Sequence, residues 1–171
     1  MIRPVDRKAD RRGIEAIDTA FETTSVFDMV TTTHSIELVE RTLAAPLVKR
    51  YSMGEVFASW SHWDAGWVAD DGGIRGFAAV LFEAWHNRLV LSFLYVTAGW
   101  RRRGLGRALI DKVEEHGRGI GASHVWIETS SVNVPGVAAY ARLGYTLRGA
   151  DQLFYGDYMP GETAIFLAKT L

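Results

Sequence analysis

The sequence predicts a mixed α/β fold: a central sheet of about six to seven strands, antiparallel in its front half and holding one parallel pair farther on, flanked by about four helices. Three observations predict it. Between residues 66 and 96 the apolar residues form strand-like runs broken by short Asp, Gly and Asn turns, the pattern of an antiparallel meander. After Trp100 the apolar period changes from two to about 3.6. The helix this implies is followed by another strand-like run, so strand, helix and strand form a right-handed crossover between parallel neighbours. No repeat, low-complexity tract or Pro/Ser linker interrupts the 171 residues, a length suited to a single domain spanning residues 1–171.

Each element follows from local pattern. Residues 2–5 read as a short strand, and Asp10 stands where a helix cap belongs, with Ile14, Ile17 and Phe21 at helical spacing behind it. Over residues 36–47 two readings stay open: Ile36 and Leu38 alternate like a strand, whereas Ile36, Val39 and Leu43 suit a helix. Residues 66–69 and 74–85 read as strands joined by Asp70-Asp71-Gly72-Gly73, glycine supplying the positive φ of a tight hairpin. A turn at His86-Asn87 leads into residues 88–96, an apolar run of the kind buried on both faces. In the next helix Leu105, Ala108, Leu109, Val113 and His116 make a buried stripe, opposite Arg107, Asp111, Glu114 and Arg118. Gly117, Gly119 and Gly121 end it. A strand at 123–129, a helix near 135–143 stopped by Gly144, and strand-like stretches near 145–154 and 162–168 complete the chain.

Composition narrows the function. Lys and Arg number 19 against 20 Asp and Glu, so no charge imbalance draws the molecule to nucleic acid or an anionic membrane, and a small-molecule partner fits better. Cysteine is absent, which excludes disulfides, thiolate metal sites and a Cys nucleophile, and points to a reducing compartment. The charged start at Arg3, Asp6 and Arg7 lacks the apolar core of a signal peptide, and no apolar run approaches the roughly 20 residues of a membrane span. A soluble, cytoplasmic protein is expected. The five histidines show no metal-like spacing, so no metal is implied. Trp60, Trp63 and Trp67 either stack on a substrate or, as is commoner for such a loop, serve the core or an oligomer contact, which leaves a homodimer open.

The stretch Arg101-Arg102-Arg103-Gly104-Leu105-Gly106-Arg107 lies between a strand and an amphipathic helix. Glycines there let the backbone approach a ligand, and the unpaired N–H groups at a helix start, with its positive dipole end, suit a pyrophosphate. Alone it is equally a tight turn beside a solvated basic patch.

With Val96 to Leu109 around it, this stretch resembles the acetyl-CoA signature of the GNAT superfamily, Arg/Gln-x-x-Gly-x-Gly/Ala after the fourth strand. Some thirty residues on, Asn133-Val134-Pro135-Gly136-Val137-Ala138-Ala139-Tyr140-Ala141-Arg142-Leu143-Gly144-Tyr145 resembles that superfamily's second signature, departing from it mildly at Gly136 and Tyr145. The segments 13–27, Trp126-Ile127-Glu128-Thr129 and Asp151-Gln152-Leu153-Phe154-Tyr155 are further similar to the streptothricin (nourseothricin) acetyltransferases. Two features depart: Met53 to Trp60 stands where those relatives carry an acidic tract, and Ser92, Phe93 and Tyr95 stand where they place carboxylates.

The resemblance implies an acetyl-CoA-dependent N-acetyltransferase, with acetyl-CoA as cosubstrate and a small-molecule amine as acceptor. It implies that backbone groups around Leu94, Tyr95 and Val96 pair with the pantetheine arm, and that a backbone N–H there stabilises the thioester oxygen as it gains charge. Tyr140 would donate a proton to the departing thiolate, and Asn133 would either contact CoA or only cap its helix. A primary ammonium, pKa near 10.4, must lose a proton before attack. Glu83 and Glu128 are the strand carboxylates placed for that task, each equally readable as a structural acid. Acetylation of a protein amine, and a non-catalytic CoA-binding module on the same fold, are the other readings.

Overall fold

The computed structural model describes residues 1–171. Its elements run β1 (Ile2–Pro4), α1 (Arg11–Glu15), β2 (Phe21–Thr31), β3 (Ile36–Lys49), β4 (Ala65–Asp70), β5 (Ile74–Glu83), β6 (Arg88–Val96), α2 (Leu105–Gly119), β7 (His124–Ser130), α3 (Val134–Arg142), β8 (Thr146–Asp151) and β9 (Ala164–Thr170), with 3-10 turns at Met53–Phe57, Ala84–His86 and Ala98–Trp100. Seven strands belong to a sheet, and β2 and β3 form a two-stranded one. The chain divides into two compact units, residues 1–21, 50–125 and 170–171 in the first, and 22–49 and 126–169 in the second.

In the first unit β1, β4, β5 and β6 pair antiparallel in that order. The β4–β5 hairpin closes through Gly72 at φ 65° and Gly73 at φ 147°, conformations that L side chains avoid. The alternation of β5 then sorts its side chains. Phe77, fully buried, packs with Ile14, Ile17, Met53, Val56 and Trp63, while Gly76 faces Leu109 of α2, where a Cβ would meet the leucine at 3.1 Å. α1 and the Met53–Phe57 turn therefore cover one face and α2 the other. Burying each of these large apolar side chains stabilises the fold by about 1.5–3 kcal/mol.

Several sequence expectations are corrected here. α1 has only five residues; Ile17 stays in the core but outside the helix, and Phe21 opens β2. Asp10 occupies the cap position without capping: its carboxylate receives two 2.7 Å bonds from Arg3 and one of 2.8 Å from the Asp6 N–H. Arg3 also bonds Asp70, so this ion pair fastens β1, α1 and β4, and it holds the Asp10 carboxyl below its usual range. β6 is buried only at Leu89 and Leu91, with Ser92 to Val96 half-buried. In α2 the buried side chains are Leu109, Ile110, Val113, Glu114 and Gly117, so Glu114 lies inward, 3.8 Å from Arg118, and His116 only at the margin. Gly117 does not stop the helix; it makes room for Leu89 and Leu171. The stop comes at Gly121, φ 75°, where Ala122 N–H bonds the Gly117 carbonyl at 2.9 Å and Gly121 N–H bonds that of Arg118 at 3.2 Å, a Schellman closure.

In the second unit β7, β9 and β8 are neighbours in that order, β8 and β9 antiparallel. Residues 36–47, open from sequence, are strand: β3 pairs with β2, supported by the Arg41–Asp28 ion pair and a Ser25–Glu40 hydrogen bond. That leaves three α-helices where about four were expected. The Phe27 N–H bonds the Ser131 carbonyl at 3.0 Å, fixing the hairpin to the turn that precedes α3.

Candidate functional site

In the first unit the site grows from β6. The β5–β6 register passes from Ala79↔Phe93 to Val80↔Leu91, so Ser92 is an extra residue on β6. A bulge of this kind bends the strand and frees a backbone N–H from the ladder. At the end of β6 the chain turns through Ala98–Trp100 into the 101–107 segment. Arg102 takes φ 63° and Gly104 φ 83°, and Gly104 caps α2 with nothing within 4 Å of where its Cβ would stand. The Ala108 N–H closes the first helical turn on the Gly104 carbonyl at 3.0 Å. The N–H groups of Leu105, Gly106 and Arg107 precede that bond, as the opening donors of a helix do.

The three arginines behave differently. Arg102 and Arg103 are exposed, and Arg103 lies over the Trp100 ring at 4.9 Å. Arg101 turns inward: Nε donates to the Val96 carbonyl at 2.9 Å, and the terminal nitrogens to the carbonyls of Ala20 at 2.5 Å and Asp18 at 3.3 Å. Burial lowers its pKa, opposed by Asp18.

In the second unit β7 and α3 gather the ionisable groups. Glu128, half-buried on β7, accepts a hydrogen bond from the Tyr155 hydroxyl. Burial raises its pKa above the ordinary 4.5, and the Tyr155 bond opposes the rise. Tyr140 on α3 is 9% exposed and packs edge-on against Tyr145, centroids 6.0 Å apart. Its pKa is driven up by burial first and by the Glu128 charge second, so it keeps its proton. Asn133 caps α3: its Oδ1 accepts from the Gly136 N–H at 3.1 Å and its Nδ2 donates to Thr129 Oγ1 at 2.9 Å. Both arms of the amide are thus used within the protein. At Gly136, the mild departure from the signature, a Cβ would overlap Asn133 Nδ2, so a larger residue would displace the capping amide.

Glu83 is placed otherwise. It ends β5, ion-paired with Arg88 at 2.6 Å and with His86 Nδ1 3.0 Å from its carboxylate. It stands three residues beyond Val80, which marks the bulge, so roughly 10 Å of strand separate the two. Trp63 belongs to the core and bonds the Val56 carbonyl, Trp67 packs edge-on against His116, and Trp60 is exposed. Sequence reasoning missed two features. Tyr155, the partner of Glu128, lay within a segment noted only for its likeness. Tyr51 lies between Phe21, on which it stacks at 6.2 Å, and Tyr95, tilted 46° from it at 6.0 Å, a half-buried aromatic row that no periodicity signals.

This chain belongs to the GNAT acetyltransferases: residues 34–145 match the model of the Acetyltransferase (GNAT) family. It is an acyltransferase enzyme with the mixed-sheet fold of that family. It is 35% identical over 171 residues to a streptothricin acetyltransferase of Streptomyces lavendulae, 95% of this chain and 90% of that one. A nourseothricin acetyltransferase crystal structure superposes with TM-score 0.88 at 32% identity, covering 99% and 97% of the two chains. A proposed streptothricin acetyltransferase from Bacillus anthracis str. Ames, solved with acetyl coenzyme A, shares the fold at TM-score 0.83 and 19% identity, covering 100% and 99%. No helix is long and apolar enough to cross a membrane.

Proposed function

We propose that this chain transfers the acetyl group of acetyl-CoA to a primary amine of a small molecule, by direct attack in a ternary complex. The observation that carries the reading is the likeness, over nearly the whole chain, to a streptothricin acetyltransferase, joined to a helix start at Gly104 with free-facing N–H groups. The N–H groups of Leu105, Gly106 and Arg107, with Arg102 and Arg103 beside them, receive the pyrophosphate. Backbone groups of Leu94 and Val96 pair with the pantetheine arm, and a β6 N–H near the bulge bonds the thioester oxygen, a donor worth about 10²–10³ in rate in comparable sites.

The amine nitrogen attacks the thioester carbon, the C–S bond breaks, and two protons move. Glu128 takes the ammonium proton; its raised pKa brings it toward the basicity that neutral-pH proton transfer requires. Tyr140, kept protonated by burial, donates to the thiolate, whose thiol reference pKa is about 8.5. One proton arrives and one leaves, and the electrostatic coupling of Glu128 with Tyr140 suits a relay that resets both. In this reading Glu83 keeps its ion pair with Arg88 and Glu128 serves as the base.

For the acceptor, Ser92, Phe93 and Tyr95 replace the acids of related enzymes, and the Phe21–Tyr51–Tyr95 row offers an aromatic wall. Such a wall favours a singly charged, partly apolar amine through cation–π and apolar contact over a polycation that needs several carboxylates. The test compares kcat/KM for streptothricin and for phenethylamine at two salt concentrations. Phenethylamine should be the better acceptor and insensitive to salt. Turnover of streptothricin near 10⁴ M⁻¹s⁻¹ or faster, about the ordinary enzyme range, with a steep loss at high salt, would reject the aromatic-wall assignment.

A further inference from the structure

We propose that Arg101 is a positioning residue for the acceptor: its guanidinium braces residues 18–20 against the end of β6 and so sets the aromatic wall that receives the amine. The argument begins with what the side chain touches. A guanidinium that binds a phosphate presents its planar fork of donors outward to the anion. All three hydrogen bonds of Arg101 go instead to backbone carbonyls, Val96 at the end of β6 and Asp18 and Ala20 on the linker between α1 and β2. Hydrogen bonds from an ionised donor are stronger than those between neutral groups. Arg102 and Arg103, both exposed, remain for the anion.

The linker needs such a brace. It has no regular secondary structure between Glu15 and Phe21, so its geometry rests on side chains. Thr97, four residues before Arg101, accepts from the Asp18 N–H at 3.2 Å through its hydroxyl, a second tie to the same turn. Asp18 in turn accepts from the Ala20 N–H at 3.1 Å and pairs with Arg50 at 2.6 Å. Thr19 and Tyr51 exchange two hydrogen bonds, hydroxyl to Tyr51 carbonyl at 2.8 Å and Tyr51 N–H to hydroxyl at 2.9 Å. Phe21, next along the linker, stacks on Tyr51, which reaches Tyr95. The turn that holds the donor and the wall proposed to hold the acceptor are therefore joined through one guanidinium.

The inference rests on the acceptor reading given above, and the experiment separates the two. CoA affinity is measured by calorimetry, and kcat and KM with phenethylamine and streptothricin, for the wild type, Arg101→Met, Arg101→Lys and Thr97→Val. In Arg101→Met, KM for the amine should rise about 10-fold or more while kcat and the Kd for CoA change less than about 3-fold, the signature of lost binding rather than lost chemistry. Arg101→Lys should recover part of the loss, and Thr97→Val should raise KM in the same direction by less. A Kd for CoA weakened as much as the amine KM, or kinetics unchanged in all three variants, overturns the proposal. So does a uniform fall in kcat and stability that lysine does not relieve. If the wild type acetylates neither amine, the acceptor reading fails first and the proposal with it.

Discussion

In the 101–107 turn of the first unit the proposed chemistry is carried by main chain: Gly104 at φ 83° opens a helix whose first N–H groups have no partners within the helix. In β7 and α3 of the second unit it is carried by burial, which lifts Glu128 and Tyr140 above their ordinary pKa values. The first device depends on residue type and order. The second depends on how much water the fold removes around two side chains. Substitutions should therefore fail in different ways in the two regions, through donor affinity in one and through rate and pH dependence in the other.

The largest effect is expected at Gly104. A β-branched residue there must hold a left-handed φ that costs about 1–2 kcal/mol and brings a side chain to the surface that must meet the pyrophosphate. Gly104→Val should abolish CoA binding measurable by calorimetry while circular dichroism stays near wild type and the unfolding transition falls only by the roughly 2–8 °C that this strain implies. Unchanged affinity would remove the turn from the donor site.

Glu128→Gln comes next, with kcat at pH 7 expected to fall about 100-fold, within the range for a general base. Its effect on stability has the opposite sign. A carboxyl whose folded pKa is raised contributes stability that is fully present below its unfolded value and is lost as pH rises through the folded one. The ionised Glu128 is thus a burden at neutral pH, and Glu128→Gln should melt at a higher temperature than wild type near pH 7, the difference closing as pH falls below the ordinary carboxyl value of 4.5. A lower melting temperature across the whole range would mean that the carboxylate serves the fold.

Tyr140→Phe should lower kcat by about 10-fold with little change in acetyl-CoA affinity. A wild-type kcat would leave Tyr140 as a packing residue against Tyr145. The smallest effect belongs to Tyr155→Phe. Its hydroxyl holds the Glu128 pKa down against burial, so its loss should move the acidic limb of the kcat/KM profile to higher pH, with the plateau reduced less than about 10-fold. An unmoved limb would separate Glu128 from the titration that controls the rate.

The same contrast explains what could be read in advance. The β4–β5 hairpin and α2 are legible because each is a local matter, two glycines at a turn and a 3.6-residue stripe, whereas for Asn133 the sequence leaves a helix cap and a CoA contact both open. Asp10 misled because its sequence position fits a cap, yet Arg3 and the Asp6 N–H take its carboxylate. Phe21 misled for a similar reason. Helical spacing carries a helix reading past Glu15, but the linker is held out of the helix by Thr97, Tyr51 and Arg101, all distant in sequence.

The sequence by itself determined the order of elements after residue 60, the glycine-capped donor turn and the residue types available for proton transfer, because backbone conformation and periodicity are encoded within a few neighbouring residues. Only tertiary packing decides which arginine faces inward, that Glu83 is ion-paired with Arg88 while Glu128 is desolvated beside Tyr155, and that Phe21, Tyr51 and Tyr95 form one row. Charge, basicity and access are set by what long-range packing places around a group, and residues far apart in the chain carry no local record of that.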